Sequence, residues 1–579
     1  MIVGKQNKHG ETSVTLDRRE AYLETFIAFV LLGFGFYHSV LYFGHQVVPN
    51  PDFTGFVAVG RRLLSFQLPT IYKRAPVLGI LQVLLSNFVG GQHPDLTAGR
   101  LLNAIIHPFN VVLLYMVGKR VVGRAAVWVA IIAILNPWVI QLLTEPIAET
   151  TLLFFVLLTT YFIFRRSRWS YLFASITTMV RYEGAALILA AFVMDLANQK
   201  DRKQRLWAFA WSVVASIPLA LWMLGTIVHW KGQGGTFYLK DLGLPGTISG
   251  FLVKYVQLIW RMAVYPLFMP TPGIPKGITG ILYKASQVVT AVSFVFGVAY
   301  GLYKRRWNTL VLLIFLVPYV FVHAAYKVAI PRYCMLIHWI VLLICVYGLQ
   351  SGWGLIASRA GIPKPLTIFL QCVVLIICCI WAAGLVPYLS KVAPMSRRSV
   401  SMPYVGMAAV GLIFVGRRFV YRLRYCWSEI VILVAVCLMI ISNQFALAQV
   451  VRNGRRDIEF KLLADWYISN TRPGEKLVST MSNILNIFAP AQKDYFVHMG
   501  AMKADNPRDF VKECYDKDIT YVTWDSRIGA GVGGLYYRLW NIKNIAMLAK
   551  RENFGPYEFV TQIRVNERRF INVFRLRKM

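Results

Sequence analysis

Apolar runs of about 20 residues recur along this 579-residue chain, at roughly 22–43, 98–118, 125–143, 147–164, 206–229, 286–302, 308–325, 334–350, 366–389, 402–416 and 428–448. A segment that long and apolar satisfies its backbone polar groups in a bilayer only by forming a helix. The sequence therefore predicts an α-helical polytopic membrane protein, with about 11–13 spans once the irregular segments are counted. Its 57% hydrophobic and 15% charged residues, with a mean hydropathy of +0.52, agree. A net charge of +35 would suggest nucleic acid in a soluble chain. Here the Lys and Arg fall mostly in short loops between spans, which is how membrane orientation is written, so a nucleic-acid partner is set aside.

Loop charges give the topology. KRVVGR at 119–124, RRSR at 165–168, KDRKQR at 200–205, YKRR at 303–306 and RRFVYRLR at 417–424 share one face with the polar N-terminus, which lacks a cleavage signal and precedes a retained first span. That face reads as cytoplasmic. The segment 171–194 has basic clusters at both ends and is interrupted by Arg181, Tyr182, Glu183 and Gly184. One crossing would put a basic cluster on the wrong side, so two short helices that enter and return are expected. The opposite face receives outer loops at 44–97 and 230–284; the basic loop at 390–400 is the exception to the scheme.

After about residue 449 the composition turns mixed polar and charged. KLLADWYISNTRPGEKLVST reads as helix, Pro-Gly turn and strand, KADNPRDFVKECYDKDI as a helix, and DITYVTWDS and FINVFRLRK as strands. The expected domains are thus 1–448, a polytopic transmembrane domain, and 449–579, a small C-terminal α/β extracytoplasmic domain. Six of the eight cysteines lie in apolar runs as small hydrophobes, so neither a disulfide framework nor a zinc site is indicated. No N-x-[ST] sequon occurs, which favours a bacterial inner membrane over the secretory pathway.

Charged residues near span ends are the functional candidates, because charge at membrane depth is costly. Asp52, in VVPNPDF, is either the cap of a solvated turn or a base. Glu145 and Glu149 open the span in LLTEPIAETTLLFF, with Pro146 expected at a first helical position; N-capping carboxylates and catalytic ones both fit. Lys73 and Arg74 in YKRAPVLG, and Lys327, Arg332 and Tyr333 in AYKVAIPRYCML, suit a phosphate. Snorkelling accounts for Lys73 and Lys327 equally well. Arg181 and Glu183 would not face one another on a continuous helix, so a turn pairs them, as a structural ion pair or beside a ligand. The histidines, His323 among them, read as interfacial polar residues without ligand spacing.

No G-x-x-x-x-G-K-[ST], H-E-x-x-H or paired C-x-x-C is present, so ATP-driven transport and zinc hydrolysis have no visible machinery. A carboxylate to take a hydroxyl proton and cations to hold a leaving phosphate would serve sugar transfer from a lipid phosphate.

The order of motifs resembles the GT-C superfamily of polytopic glycosyltransferases, and is most similar to its bacterial protein mannosyltransferase and aminoarabinose transferase relatives (glycosyltransferase family 39-like). Carrying the resemblance are Asp52 in the first outer loop, YKRAPVLG ahead of a span, TEPIAE, VRYEG in a broken hairpin, PRY, and the C-terminal α/β domain. It implies a polyprenyl-phosphate sugar donor, an inverting-type transfer to an acceptor hydroxyl on the extracytoplasmic face, Asp52 as base and Arg332 near the donor phosphate. The acceptor, protein, lipid or polysaccharide, is not identified by it. The family's paired first-loop acids are missing, since Phe53 follows Asp52; the second carboxylate falls to Asp95, Glu145 or neither, and use of a divalent cation stays open. The tryptophan-rich motif of oligosaccharyltransferases is absent, so transfer of a whole glycan to Asn is not expected. The alternative is a lipid or small-molecule transporter or flippase with a discontinuous helix at midplane, for which the broken segment at Arg181 is the one supporting feature.

Overall fold

The computed structural model describes residues 9–69, 72, 74–134, 137–199, 201–233, 249–250, 252–253, 255–257, 278–325, 333, 336–360, 457–504, 506–526, 547–567 and 569–577. The spans expected at 366–389, 402–416 and 428–448, the basic loop at 390–400 and most of the outer loop at 230–284 lie outside them. The chain forms two compact units: Met1–Phe43 with Ala58–Leu85 and Ala98–Val451, and Gly44–Val57 with Ser86–Thr97 and Arg452–Met579.

The first unit is helical. In order come α1 (His9–Tyr42), α2 (Asp52–Leu64), α3 (Pro76–Ser86), α4 (Pro94–Val122), α5 (Ala126–Ile134), α6 (Pro137–Thr144), α7 (Ala148–Phe164), α8 (Trp169–Val180), α9 (Ala185–Asn198) and α10 (Arg202–Gln233). Helices Ile278–Tyr303, Trp307–Ala325 and His338–Ala360 follow. Among the described residues four helices are long and apolar enough to cross a membrane, over Glu24–Tyr42, Pro94–Val122, Arg202–Val228 and Trp307–Ala324, and shorter apolar helices accompany them. The chain is a multi-pass membrane protein. The sequence runs anticipate most of these helices, with two corrections. The run at 125–143 is broken into α5 and α6, and the outer loop at 44–97 is itself helical over α2 and α3. The expected break within 171–194 is present: α8 and α9, of 12 and 14 residues, meet at a turn over Arg181–Gly184. At 1.5 Å per residue each is about 20 Å long, too short to span a core of about 30 Å.

Lipid tails supply no hydrophobic drive between helices, so close backbone packing does. A Cβ at Gly348 would meet the Ser293 carbonyl oxygen at 2.0 Å, and one at Gly297 would meet that of Ile344 at 2.3 Å, so Ile278–Tyr303 and His338–Ala360 touch along their backbones. Gly60 of α2 is likewise within 2.2 Å, Cβ to backbone, of Gly79 in α3.

The second unit holds a five-stranded mixed sheet of β1 (Lys476–Ser479), β2 (Phe496–His498), β3 (Ile519–Asp525), β4 (Tyr557–Asn566) and β5 (Arg569–Leu576), ordered β2-β1-β3-β5-β4. β1 runs parallel to β2 and β3, while β5 is antiparallel to β3 and β4. Side chains alternate across the strands, and both faces are covered. Leu477, Tyr521 and Val573 face helices Ile458–Asn470 and Ser482–Phe488. Val478, Val522 and Phe574 face helix Pro507–Asp516, which starts on an Asn506 cap and Pro507. The first core also takes in Val48, and His93 sets its ring against Phe488, so segments on either side of α2 and α3 belong to this unit. β2 and β4 escaped the sequence reading. β2 is only three residues long, and the β4 burial pattern does not alternate strictly.

Candidate functional site

The break between α8 and α9 builds a buried charged cluster in the first unit. α8 ends where Arg181 adopts an extended backbone (φ −155°, ψ 143°), its N–H still bonded to the Thr177 carbonyl at 3.0 Å. A single 3-10 turn over Tyr182–Gly184 follows. Gly184 lies so close to α8 that a Cβ would meet the Thr177 carbonyl carbon at 2.6 Å, so no larger residue fits without a shift. Leaving the helix lets Arg181 and Glu183, two apart in sequence, face one another. Arg181 Nη2 donates to Glu183 Oε1 at 2.8 Å, and Nε to Oε2 at 3.3 Å. The third arm, Nη1, donates to Glu149 Oε1 at 3.1 Å in the first turn of α7. The Glu149 side chain is 3% exposed, that of Glu183 10% and that of Arg181 17%. One planar guanidinium thus ties α7 to the turn between α8 and α9 through two carboxylates, the geometry in which Arg outperforms Lys.

The same guanidinium lies 4.9 Å from the Tyr333 ring centroid, a cation–π contact. Tyr333 stacks at 4.5 Å on His323, which is buried and brings Nε2 to 3.4 Å from Glu183 Oε1. Tyr319 completes the group, with its ring 4.4 Å from His323 and its hydroxyl donating to the Tyr333 carbonyl at 2.9 Å. His323 is therefore an interior member of this cluster and not the interfacial residue its sequence position suggests.

The tract at 72–75 reaches the same turn. The Tyr72 carbonyl accepts from the Tyr182 hydroxyl at 2.8 Å and from Trp222 Nε1 at 3.2 Å, and Trp222 Nε1 also lies 3.1 Å from the Tyr182 hydroxyl. Gly225 leaves room for the Tyr72 ring, which a Cβ there would meet at 2.8 Å. Arg74 is half-buried just beyond. Lys73, Lys327 and Arg332 lie outside the described residues.

Glu145 is 4% exposed, but it does not open α7. That helix starts at Ala148, with Ile147 at the cap position and no side-chain cap bond, so Glu145 and Pro146 form the link from α6. Breaking a helix at membrane depth strands carbonyls, and buried amides supply the missing donors. Asn103 of α4 gives its amide to the carbonyls of Glu145 (2.6 Å), Leu142 and Leu143 (both 3.3 Å). Gln82 of α3 donates to Pro146 at 3.0 Å, and Asn110 of α4 braces the first turn of α7 by donating to the Thr150 carbonyl at 3.1 Å. The sequence reading missed these three amides, although a lone Asn or Gln inside an apolar run is itself a signal.

Asp52 and Asp95 belong to the second unit. Asp52 is the first residue of α2, its N–H bonded to Asn50 Oδ1 at 3.0 Å, and Asp95 lies in the first turn of α4. Both carboxylates are helix N-terminal, where the helix dipole favours a negative charge. Among the described residues no group of three or more His, Cys, Asp or Glu side chains has the placement to hold a metal ion.

The fold is similar to that of ArnT from Cupriavidus metallidurans. The structure of that protein bound to undecaprenyl phosphate matches with a TM-score of 0.53 at 14% identity, over 96% of this chain and 97% of that one. Its apo state matches with a TM-score of 0.54 at 12% identity, over 96% and 98%. The Archaeoglobus fulgidus oligosaccharyltransferase in the apo form gives 0.49 at 13% identity, over 92% and 73%. No family model and no curated protein matches the sequence. A helical membrane fold with a small C-terminal sheet domain, expected from the motif order, is the fold of this chain, and it is shared with ArnT.

Proposed function

We propose that the protein transfers a sugar from a polyprenyl-phosphate donor to an acceptor hydroxyl, with inversion, on the extracytoplasmic face of a bacterial inner membrane. In that reading the N-terminus is cytoplasmic, and residues 1–448 and 449–579 act as a transmembrane and an extracytoplasmic domain. The observation that carries it is the gathering of YKRAPVLG, TEPIAE, VRYEG and PRY, far apart in sequence, on one buried charged cluster within a fold similar to ArnT. A structural salt bridge alone would not draw in Tyr333 and the Tyr72 tract.

The Asp52 carboxylate takes the acceptor proton as the hydroxyl oxygen attacks the anomeric carbon opposite the phosphate. A new glycosidic bond forms, the bond from that carbon to the phosphate oxygen breaks, and its electrons leave on the lipid phosphate. Lys73, Arg74, Lys327 and Arg332 stabilise that charge as it develops, with the Tyr333 hydroxyl as a donor. Glu145 is the candidate second carboxylate, with Asp95 as the other acid in reserve. Arg181, Glu149 and Glu183 act as positioning residues, because the guanidinium fixes the Tyr333 ring.

The test is transfer by purified protein in bilayers, from a panel of polyprenyl-phosphate sugars to an envelope extract, comparing wild type with Asp52→Asn. Removal of a general base lowers the rate roughly 100-fold or more. Equal transfer by both would move the base elsewhere; a labelled lipid crossing the bilayer with no covalent product would favour the transporter reading.

A further inference from the structure

α8 and α10 leave between them a groove of about 530 Å³ at the Trp169 end of α8, the end away from the Arg181 turn. Ser175, the groove residue furthest along α8, is about 9 Å of helix from Arg181, and no residue of the charged cluster lines the groove. Its walls are Trp169 and Leu172 on α8 and Trp211 and Val214 on α10, and Pro218 lies further along α10. These four wall residues are exposed at 59%, 47%, 38% and 54%, and the membrane-spanning part of α10 is only 11% buried. The floor is made by Ser175 and Ala215, both buried and too small to fill the space. Arg168 stands at the mouth.

The charge around that mouth is strongly one-sided. Arg165, Arg166 and Arg168 precede α8, and Arg202, Lys203 and Arg205 begin α10. Among the described residues the acidic groups at this end are Asp195, which accepts the Tyr171 hydroxyl at 2.9 Å and lies within electrostatic reach of Arg168, and Asp201, which accepts the Lys203 N–H at 3.2 Å. Two tryptophans at the level of a basic cluster are the pattern of a membrane–water interface. An apolar slot open to the bilayer, rimmed by tryptophan and crowned by arginine, has the chemistry for a two-part ligand with an alkyl chain below and an anionic headgroup above.

We infer that this groove is a binding site for an anionic glycerophospholipid, its acyl chain between Trp169 and Trp211 and its phosphate on Arg168. The site is independent of the proposed transfer activity, and a glycerophospholipid rather than the polyprenyl donor occupies it because the groove opens at the opposite end of α8 from the charged cluster.

Native mass spectrometry of the full-length protein in detergent tests this, with phosphatidylglycerol and phosphatidylcholine added at equal concentration. Wild type retains one phosphatidylglycerol in preference to phosphatidylcholine. Arg168→Gln lowers that preference about fivefold, the factor expected for one basic residue near an anionic headgroup. Val214→Trp, a change at an exposed position that fills the slot without disturbing the core, lowers retention of both lipids. Equal retention of the two lipids by wild type overturns the inference, as does retention unchanged in both variants. Displacement of the bound lipid by equimolar undecaprenyl phosphate would also overturn it, assigning the groove to a polyprenyl lipid.

Discussion

Replacing Arg181 with Gln would remove the guanidinium that Glu149 on α7 and Glu183 in the α8–α9 turn share, two carboxylates at 3% and 10% exposure. A neutral hydrogen bond between membrane helices is worth about 0.6 kcal/mol on average, and loss of three such bonds would cost under about 2 kcal/mol. Removing one partner of a buried ion pair costs more, roughly 3–5 kcal/mol, because the remaining charge is uncompensated. The larger figure should govern here, as both carboxylates are buried. Glu149→Gln is milder: Arg181 keeps its two bonds to Glu183, and losing the charge-assisted bond from Arg181 costs about 1.5–3 kcal/mol. The double variant retains a single buried carboxylate, so its cost should fall short of the sum by about 1–3 kcal/mol. The four proteins can be unfolded reversibly in mixed micelles with increasing dodecyl sulfate, followed by tryptophan fluorescence. Additivity within about 0.5 kcal/mol would refute the shared-guanidinium account, as would a cost under about 1 kcal/mol for Arg181→Gln.

Gly184→Ala should destabilise by about 1–3 kcal/mol through its clash with Thr177, whereas Gly33→Ala, with nothing within 4 Å, should be neutral or stabilising by up to about 1 kcal/mol in the same unfolding assay. Asn103→Ala removes a donor from the carbonyls of Leu142, Leu143 and Glu145, of which Leu142 keeps the Thr150 hydroxyl and Glu145 the Ile147 N–H; a cost of about 1–3 kcal/mol is expected, with faster amide exchange where α7 begins, and unchanged exchange there would count against the role assigned to the amide. In the C-terminal unit, burial would raise the Glu513 pKa, but Lys517 and the backbone N–H groups of Lys503 and Ala504 outweigh it and hold the carboxyl below its ordinary value. Its contribution to stability is therefore present above the unfolded pKa of about 4.3 and is lost as pH falls through the lower folded value. Glu513→Gln should weaken amide protection around 503–514 at pH 7 and match wild type in strong acid; equal protection at pH 7 would contradict this.

The sequence by itself determined the membrane architecture. Apolar runs long enough to cross a bilayer leave the backbone no other solution than a helix, and the two basic clusters around 171–194 require a break at Arg181. It also marked off the C-terminal sheet domain by composition, and picked out Arg181, Glu183, Glu149 and Tyr333 by their charge or by motif. What it could not show was that these four meet. Periodicity along a helix tells which face avoids lipid but carries no record of which helix lies opposite. Arg181 and Glu149 are 32 residues apart, and Trp222 reaches the Tyr72 carbonyl across 150. Asn103 and Gln82 carry no local signal of their role, because they serve carbonyls freed by a helix break on another segment. His323 gained meaning only when Glu183 came within 3.4 Å of it. Local hydrophobicity and charge act over a few residues and so are written in the sequence; ion pairs and amide donors act across distances that only the packed helices close.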